Sequence, residues 1–194
     1  MSLMCLAQRA ITCKIVYYGI GLSGKTTNLC YLHRVIDPRE IGEMVSLDTE
    51  TERTLYFDLL PLELRTVQGF QLRFHLYTVP GQHLYRHTRF SVLKGADGVI
   101  FVVDSQASKL QENLLCWNEL QQQLRQMKKD LADFPLVMQW NKRDVADALP
   151  VAVLEQALNP SHAPSYEAVA TTGKGVIESL RQGINATLQQ LKKL

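Results

Sequence analysis

The chain has 194 residues, of which 46% are hydrophobic, so it can bury one sizeable core and lies in the size range of a single domain. We therefore predict one domain spanning residues 1–194. The formal net charge of +2, with 21% charged residues, argues against nucleic acid or an anionic membrane surface as an electrostatic partner.

The cysteines and the apolar segments indicate a cytoplasmic protein. The four cysteines have no CxxC spacing, so we expect reduced thiols, with Cys13 and Cys30 in the core because their neighbours are apolar. No segment approaches the ~20 apolar residues of a membrane span. We expect no lipid anchor, because Ser2 is not the glycine that N-myristoylation needs and the terminal QLKKL has no cysteine to prenylate.

Strand and helix patterns alternate along the chain. KIVYYG at 14–19 predicts a strand ending at a glycine, and Leu29, Leu32 and Ile36 then repeat with helical spacing. The further predicted strands are 54–62, 70–77, 98–103, 135–140 and 166–170, and the further predicted helices are 83–94, 108–129, 150–158 and 176–193. Gly69 between two alternating runs predicts a hairpin.

This order of elements predicts an α/β fold. Strands that alternate with helices favour a mostly parallel central sheet with right-handed crossovers and helices on both faces. The hairpin adds one antiparallel strand at an edge of the sheet. No repeat, low-complexity tract or linker interrupts the chain.

The segment GIGLSGKT, from Gly19 to Thr26, matches GxxxxGK[ST] between a predicted strand and a predicted helix. Glycines let main-chain N–H groups surround phosphates, and the helix that follows presents its positive end to them. Lys25 would reach the outer phosphates, and the Thr26 hydroxyl would ligate Mg²⁺. The residues expected to bind the nucleotide here are Gly19, Gly21, Leu22, Ser23, Gly24, Lys25, Thr26 and Thr27.

The segment NKRD follows the apolar run 135–140 directly, which puts it at the carboxyl end of a strand, where open sheets bind ligands. It looks like the NKxD guanine motif, in which Asn141, Lys142 and Asp144 would bind the nucleotide. A carboxylate can accept two hydrogen bonds from the N1–H and N2–H₂ groups of guanine, a pair that adenine lacks, so Asp144 favours GTP over ATP.

Two further segments resemble parts of Ras-like GTPases. Ala170 and Thr171 stand at the place of the SAK loop, and the resemblance implies that the Ala170 N–H contacts the guanine oxygen, with Thr171 in place of the usual lysine. TVPGQ at 78–82 looks like the DxxGQ switch, which implies that Gly81 contacts the γ-phosphate and that Gln82 lies beside the attacking water.

The same resemblance concerns magnesium and the transition state. It implies that Thr54 ligates Mg²⁺ when GTP is bound and that Arg53 stabilises the charge that develops during hydrolysis. Thr78 stands where the switch aspartate would be. An outer-shell contact to Mg²⁺ must then come from the Thr78 hydroxyl, from Asp48 or from Asp58.

The segments KIVYYGxGLSGKTTNL, GEMVSL, ERTLYFD, RFHLYTVPGQ, NKRD and ALPV together resemble the MglA family of prokaryotic small GTPases, from about Lys14 to the final helix. The resemblance implies a P-loop NTPase fold of the small-GTPase type and a TVPGQ switch with threonine for aspartate. It also implies a polarity switch for gliding or type IV pilus-driven motility. Such a switch lies at a cell pole when GTP is bound, acts through motility or polarity effectors, and is turned off by the Roadblock-fold partner MglB.

Three functional hypotheses follow. The preferred one is a molecular switch that binds and slowly hydrolyses GTP with Mg²⁺. The second is a binding module that hydrolyses negligibly until a partner repositions Gln82 and Arg53. The third is a P-loop kinase or ATPase, which would prefer adenine.

Overall fold

The computed structural model describes residues 3–5, 9–47, 57–67, 70–81 and 86–193. Its strands are β1 Leu3–Cys5, β2 Ala10–Tyr18, β3 Val45–Leu47, β4 Phe57–Val67, β5 Phe70–Thr78, β6 Gly98–Asp104, β7 Leu136–Asn141 and β8 Ser165–Glu167. Its helices are α1 Lys25–Val35, α2 Arg86–Leu93, α3 Leu110–Gln126, α4 Val151–Leu158 and α5 Val176–Leu191.

One sheet runs through the described part of the chain in the order β3-β4-β5-β2-β6-β7-β8. The pairs β5–β2, β2–β6, β6–β7 and β7–β8 are parallel, whereas β4 is antiparallel to both β3 and β5. This confirms the predicted α/β fold with a mostly parallel sheet. Strand β1 pairs antiparallel with the first residues of β2.

Strands β1 and β3 were not predicted from the sequence. Each has three residues, too few to show an alternating pattern, and each is defined by its pairing with the next strand of the chain. Strand β4 continues to residue 67 rather than 62, because its ladder with β5 extends to Val67↔Phe70. Residues 54–56, 69 and 83–85, which the predicted hairpin and helix included, lie outside the described residues.

The sheet has an apolar layer on each face because side chains alternate along its buried strands. In β2, Ile15 and Tyr17 face a layer with residues of α1 and α5, whereas Val16 and Tyr18 face a layer with residues of α2, α3 and α4. All seven residues of β6 are buried, as expected for a strand covered on both faces. The prediction for Cys30 was wrong: it is exposed, because the core-facing positions of α1 are Leu29 and Leu32.

The parallel direction of β2, β5, β6 and β7 brings their carboxyl ends to one edge of the sheet. The segments that follow β2, β5 and β7 are the glycine loop, the TVPGQ segment and the NKRD segment. The three sequence motifs therefore lie together at the carboxyl edge of the sheet. Open α/β sheets bind their ligands at this edge.

Candidate functional site

Gly24 is the last residue of the loop between β2 and α1. Gly24 has a φ of 99°, in the left-handed region, and precedes the first residue of α1. A Cβ atom on Gly24 would lie 2.2 Å from Nδ2 of Asn141. Only glycine fits both the conformation and the space. The amino end of α1, with its unpaired N–H groups, therefore opens directly onto this loop.

The TVPGQ segment packs against the same loop through main-chain atoms. A Cβ atom on Gly81 would lie 2.1 Å from Cα of Gly21, so a side chain at position 81 would force the two segments apart. This close approach brings the end of β5 to the loop where phosphates are expected. Gln82 lies outside the described residues, as do Arg53, Thr54 and Asp48. Their predicted roles stay predictions.

Lys25 is buried under the glycine loop. Its ammonium donates hydrogen bonds to the carbonyl oxygens of Gly19, at 3.0 Å, and Ile20, at 2.5 Å. The pKa of Lys25 is lowered from 10.5 to about 8, mainly by burial. The nearby Arg89 guanidinium also acts to lower this pKa, whereas Cys116 and the Asp58 carboxylate act to raise it. The ammonium is thus held by weak neutral acceptors in an environment that favours a stronger anionic partner.

Three hydroxyl groups converge on the carboxylate of Asp58. Thr26 Oγ1 and Thr78 Oγ1 donate to Asp58 Oδ2 at 2.6 and 2.9 Å, and Ser46 Oγ donates to Oδ1 at 2.8 Å. The Asp58 N–H donates in turn to Thr78 Oγ1 at 2.8 Å. The pairing of β3, β4 and β5 places residues 46, 58 and 78 in one row. Asp58 thereby supplies a carboxylate where the switch segment has threonine.

These oxygen atoms fit a Mg²⁺ site in which the phosphates of a nucleotide supply the remaining ligands. Mg²⁺ prefers oxygen ligands and is usually bound by one or two protein groups together with phosphates and water. Among the described residues, no group of three His, Cys, Asp or Glu side chains could form a metal cage. The prediction that Thr26 ligates the ion stays a prediction; if Thr26 holds Mg²⁺, Asp58 would lie in the outer shell and accept the hydrogen bond that the Thr26 hydroxyl donates.

Asn141 ties three segments of the site together. Its Nδ2 donates to the carbonyl oxygen of Ser23 at 2.7 Å, and its Oδ1 accepts from the N–H of Ala170 at 2.9 Å. Asn141 and Ser23 are both buried. The glycine loop, the NKRD segment and the Ala170–Thr171 segment therefore form one connected unit.

A cavity of about 180 Å³ opens between these three segments. Its walls include Lys142, exposed Asp144 and Thr171, together with Leu22, whose side chain is 90% exposed. Within the described residues, the Asp144 carboxylate has no hydrogen-bond partner, so it can accept bonds from a ligand. The remaining predicted binding residues on the cavity wall are Gly24, Thr27, Asn141 and Ala170.

The sequence interpretation missed Asp104 and left Asp58 as one of three alternatives. Asp104 ends β6 and accepts a hydrogen bond from Lys142 Nζ at 2.6 Å. The sequence does contain a signal for Asp104, because it is the polar residue that ends the apolar run of β6. Asn141 ends the apolar run of β7 in the same way. Asp58 gives no such local signal, because its neighbours Thr26, Ser46 and Thr78 come from other elements.

A sequence model of the ADP-ribosylation factor (Arf) family matches residues 2–193. The chain is 47% identical over 193 residues to the mutual gliding-motility protein MglA of Myxococcus xanthus, covering 100% of this chain and 99% of that protein. The chain belongs to the MglA-type small GTPases of the Arf family. It is also 28% identical to the ADP-ribosylation factor-like proteins 6 of Caenorhabditis elegans and 4C of Homo sapiens, over 87% and 93% of this chain and 83% and 89% of theirs.

Membership of the MglA-type GTPases confirms the resemblance and the small-GTPase fold. It supports guanine nucleotide as the ligand and GTP hydrolysis in general, and it argues against the alternative of a P-loop kinase or ATPase. In this GTPase, no described helix is long and apolar enough to cross a membrane.

Proposed function

We propose that this GTPase binds GTP and GDP with Mg²⁺ and hydrolyses GTP slowly, so that hydrolysis times a switch between two states. The observation that carries the proposal is the bridge made by Asn141 between the phosphate loop and the cavity lined by Asp144. A ligand with phosphates at one end and a purine with hydrogen-bond donors at the other fits both parts of this connected unit.

The proposed roles follow from the contacts and from the family. Lys25 and Gly81 would hold the γ-phosphate, and Thr26 with Thr54 would hold Mg²⁺. Gln82 would orient the attacking water, and Arg53 would offset charge in the transition state. Mg²⁺ would supply charge neutralisation on the phosphates when bound.

We further infer a role in cell polarity and in gliding or type IV pilus-dependent motility. The support is the similarity over the full chain to a protein named for gliding motility. An activating protein of the Roadblock-fold MglB type would accelerate hydrolysis, and motility or polarity effectors would bind the GTP state at a cell pole. The alternative, a binding module with negligible hydrolysis of its own, differs only in the rate without this partner.

Chromatography of the nucleotide released from the purified protein tests the ligand. We expect GDP or GTP, because the Asp144 carboxylate selects guanine. Adenine nucleotides would overturn the proposal.

Single-turnover phosphate release from bound GTP tests the enzyme. We expect slow release that a Roadblock-fold protein accelerates, and Gln82→Leu should lower the accelerated rate on the order of 100-fold because the attacking water loses its orientation. Gln111→Leu, at an exposed position of α3, is the control and should leave the rate unchanged. Release at the rate of buffer without the partner would favour the binding-module alternative.

The Mg²⁺ requirement of nucleotide retention tests Asp58. Asp58→Asn keeps the size of the side chain but removes the charge that Thr26 and Thr78 contact, so we expect about 10-fold more Mg²⁺ at the midpoint of GDP retention. Glu63→Gln is the control, because Glu63 lies on the same strand but is exposed and pairs with Arg73 at 3.1 Å. An equal Mg²⁺ midpoint in Asp58→Asn and wild type would contradict the role.

A further inference from the structure

Asp104 is held rigidly at the carboxyl end of β6. It is 1% exposed, and Asn113 of α3 contacts its main chain on both sides: Nδ2 donates to the Asp104 carbonyl at 2.8 Å and Oδ1 accepts from its N–H at 3.3 Å. The Asp104 carboxylate accepts from the N–H of Gln106 at 3.1 Å. Its other oxygen, Oδ2, faces Lys142.

Lys142 is the partner of this carboxylate and also a wall of the cavity. Its Nζ lies 2.6 Å from Asp104 Oδ2, and its side chain is 29% exposed. Its φ of 63° is a conformation that residues other than glycine rarely adopt. The left-handed φ fixes the main chain of Lys142, and the ion pair fixes the charged end of its side chain at the buried Asp104. Between these two points, the Lys142 side chain lines the cavity.

The pairing matters because lysine is flexible. A free lysine loses much rotamer freedom when it is ordered against a ligand, whereas one already fixed by a charged hydrogen bond has little left to lose. Lys142 has the longest side chain among the residues that line the cavity, and Thr171 offers only a short side chain. Among the residues of the cavity wall, Lys142 therefore offers the longest run of methylene groups to the face of a base bound there.

We propose that Asp104 is a positioning residue for guanine binding: its buried carboxylate fixes Lys142 in the orientation that receives the base. The inference rests on the proposed function, since it takes a guanine nucleotide as the occupant of the cavity. Asp104 itself contacts Lys142 and the main chain of Gln106, and it acts on the nucleotide through Lys142.

The test measures the release rate of a fluorescent GDP analogue from the full chain loaded with Mg²⁺ and that nucleotide. The variants are Asp104→Asn, Lys142→Met and the two combined. Asp104→Asn should accelerate release about tenfold, the effect expected when a charge-assisted contact that preorganises a binding side chain is lost. In the Lys142→Met background, Asp104→Asn should cause no further change, because the group it positions is gone.

Glu112→Gln is the matched control. Glu112 pairs with Lys109 at 2.7 Å, the same kind of contact on a neighbouring turn, but both side chains are substantially exposed. Its release rate should equal that of wild type. The combined variant removes both charges of the pair, so it also avoids the unpaired buried carboxylate that Lys142→Met leaves at Asp104, and it is expected to fold. Its release rate should then equal that of Lys142→Met.

The outcomes separate the inference from the proposed function. An equal acceleration by Asp104→Asn in both backgrounds, or faster release from the combined variant than from Lys142→Met, would show that Asp104 acts independently of Lys142 and would overturn the inference. Unchanged release in Asp104→Asn would overturn it as well. A wild-type chain that binds no GDP analogue would instead overturn the proposed function.

Discussion

Lys25→Met should weaken both GDP and GTP binding by about 100-fold or more, because charge-assisted hydrogen bonds to phosphate oxygens are lost. Wild-type Lys25 has only the carbonyls of Gly19 and Ile20 as acceptors within the described residues. Phosphate oxygens are stronger acceptors, so the ammonium gains more from the nucleotide than it loses. Equilibrium titration with fluorescent nucleotides measures the change. Lys192→Met, at an exposed position after α5, is the control.

The pH dependence of binding gives a second measurement of the same residue. Burial lowers the pKa of Lys25 to about 8 in the nucleotide-free chain. Below that pH the amine is already charged, and phosphate binds without proton uptake. Above it, the amine must take up a proton when phosphate binds, so affinity falls as the pH rises past about 8. Lys25→Met should lack this decline, and an equally steep decline in that variant would assign the titration to another group.

The local motifs could be predicted from the sequence, because each is a short pattern with its own physical reason. The glycine loop needs Gly24 for its left-handed φ, and NKRD follows a buried strand whose apolar run is visible. Both segments lie at the carboxyl edge of the sheet, as the alternation of strands and helices implies. Predicting that the two segments lie at the same edge required only the direction of the strands. The helical connections between the strands determine that direction.

The contacts around Asp58 could not be predicted in the same way. They depend on the register in which Val45–Leu47 and Phe57–Val67 pair with each other and with β5. A shift of one residue would turn Asp58 to the opposite face of the sheet, away from Thr26. Three residues of β3 contain too little pattern to determine such a register.

The bridge through Asn141 shows a similar limit. The motif predicts that Asn141 lies near the nucleotide, but its side chain contacts Ser23 and Ala170 rather than opening onto solvent. Asn141 is 2% exposed, so its amide is used in holding the site together. Among the residues of NKRD, Lys142 and Asp144 line the cavity, and in the proposed function Asp144 would recognise the edge of the base and Lys142 would contact its face.

Asp144→Asn should reverse the preference among purine bases. A carboxylate accepts two hydrogen bonds from the N1–H and N2–H₂ groups of guanine, whereas xanthine has a carbonyl in place of the amino group and needs a donor. The amide of asparagine supplies that donor. We expect GDP affinity to fall by about 100-fold or more, because the asparagine amide cannot accept both hydrogen bonds that guanine donates. Xanthosine diphosphate affinity should rise, because the xanthine carbonyl gains a donor in place of a carboxylate. Competition binding with the two diphosphates measures the ratio.

Asp147→Asn is the matched control for this change in base preference. Asp147 lies three residues further along the same segment, is exposed, and contacts Gln106 Nε2 at 3.4 Å rather than the cavity. It changes the net charge by the same amount, so any general electrostatic effect on an anionic ligand appears in both variants. Only Asp144→Asn should change the ratio of the two affinities. A ratio that shifts equally in both variants, or in neither, would mean that a group other than the Asp144 carboxylate reads the base.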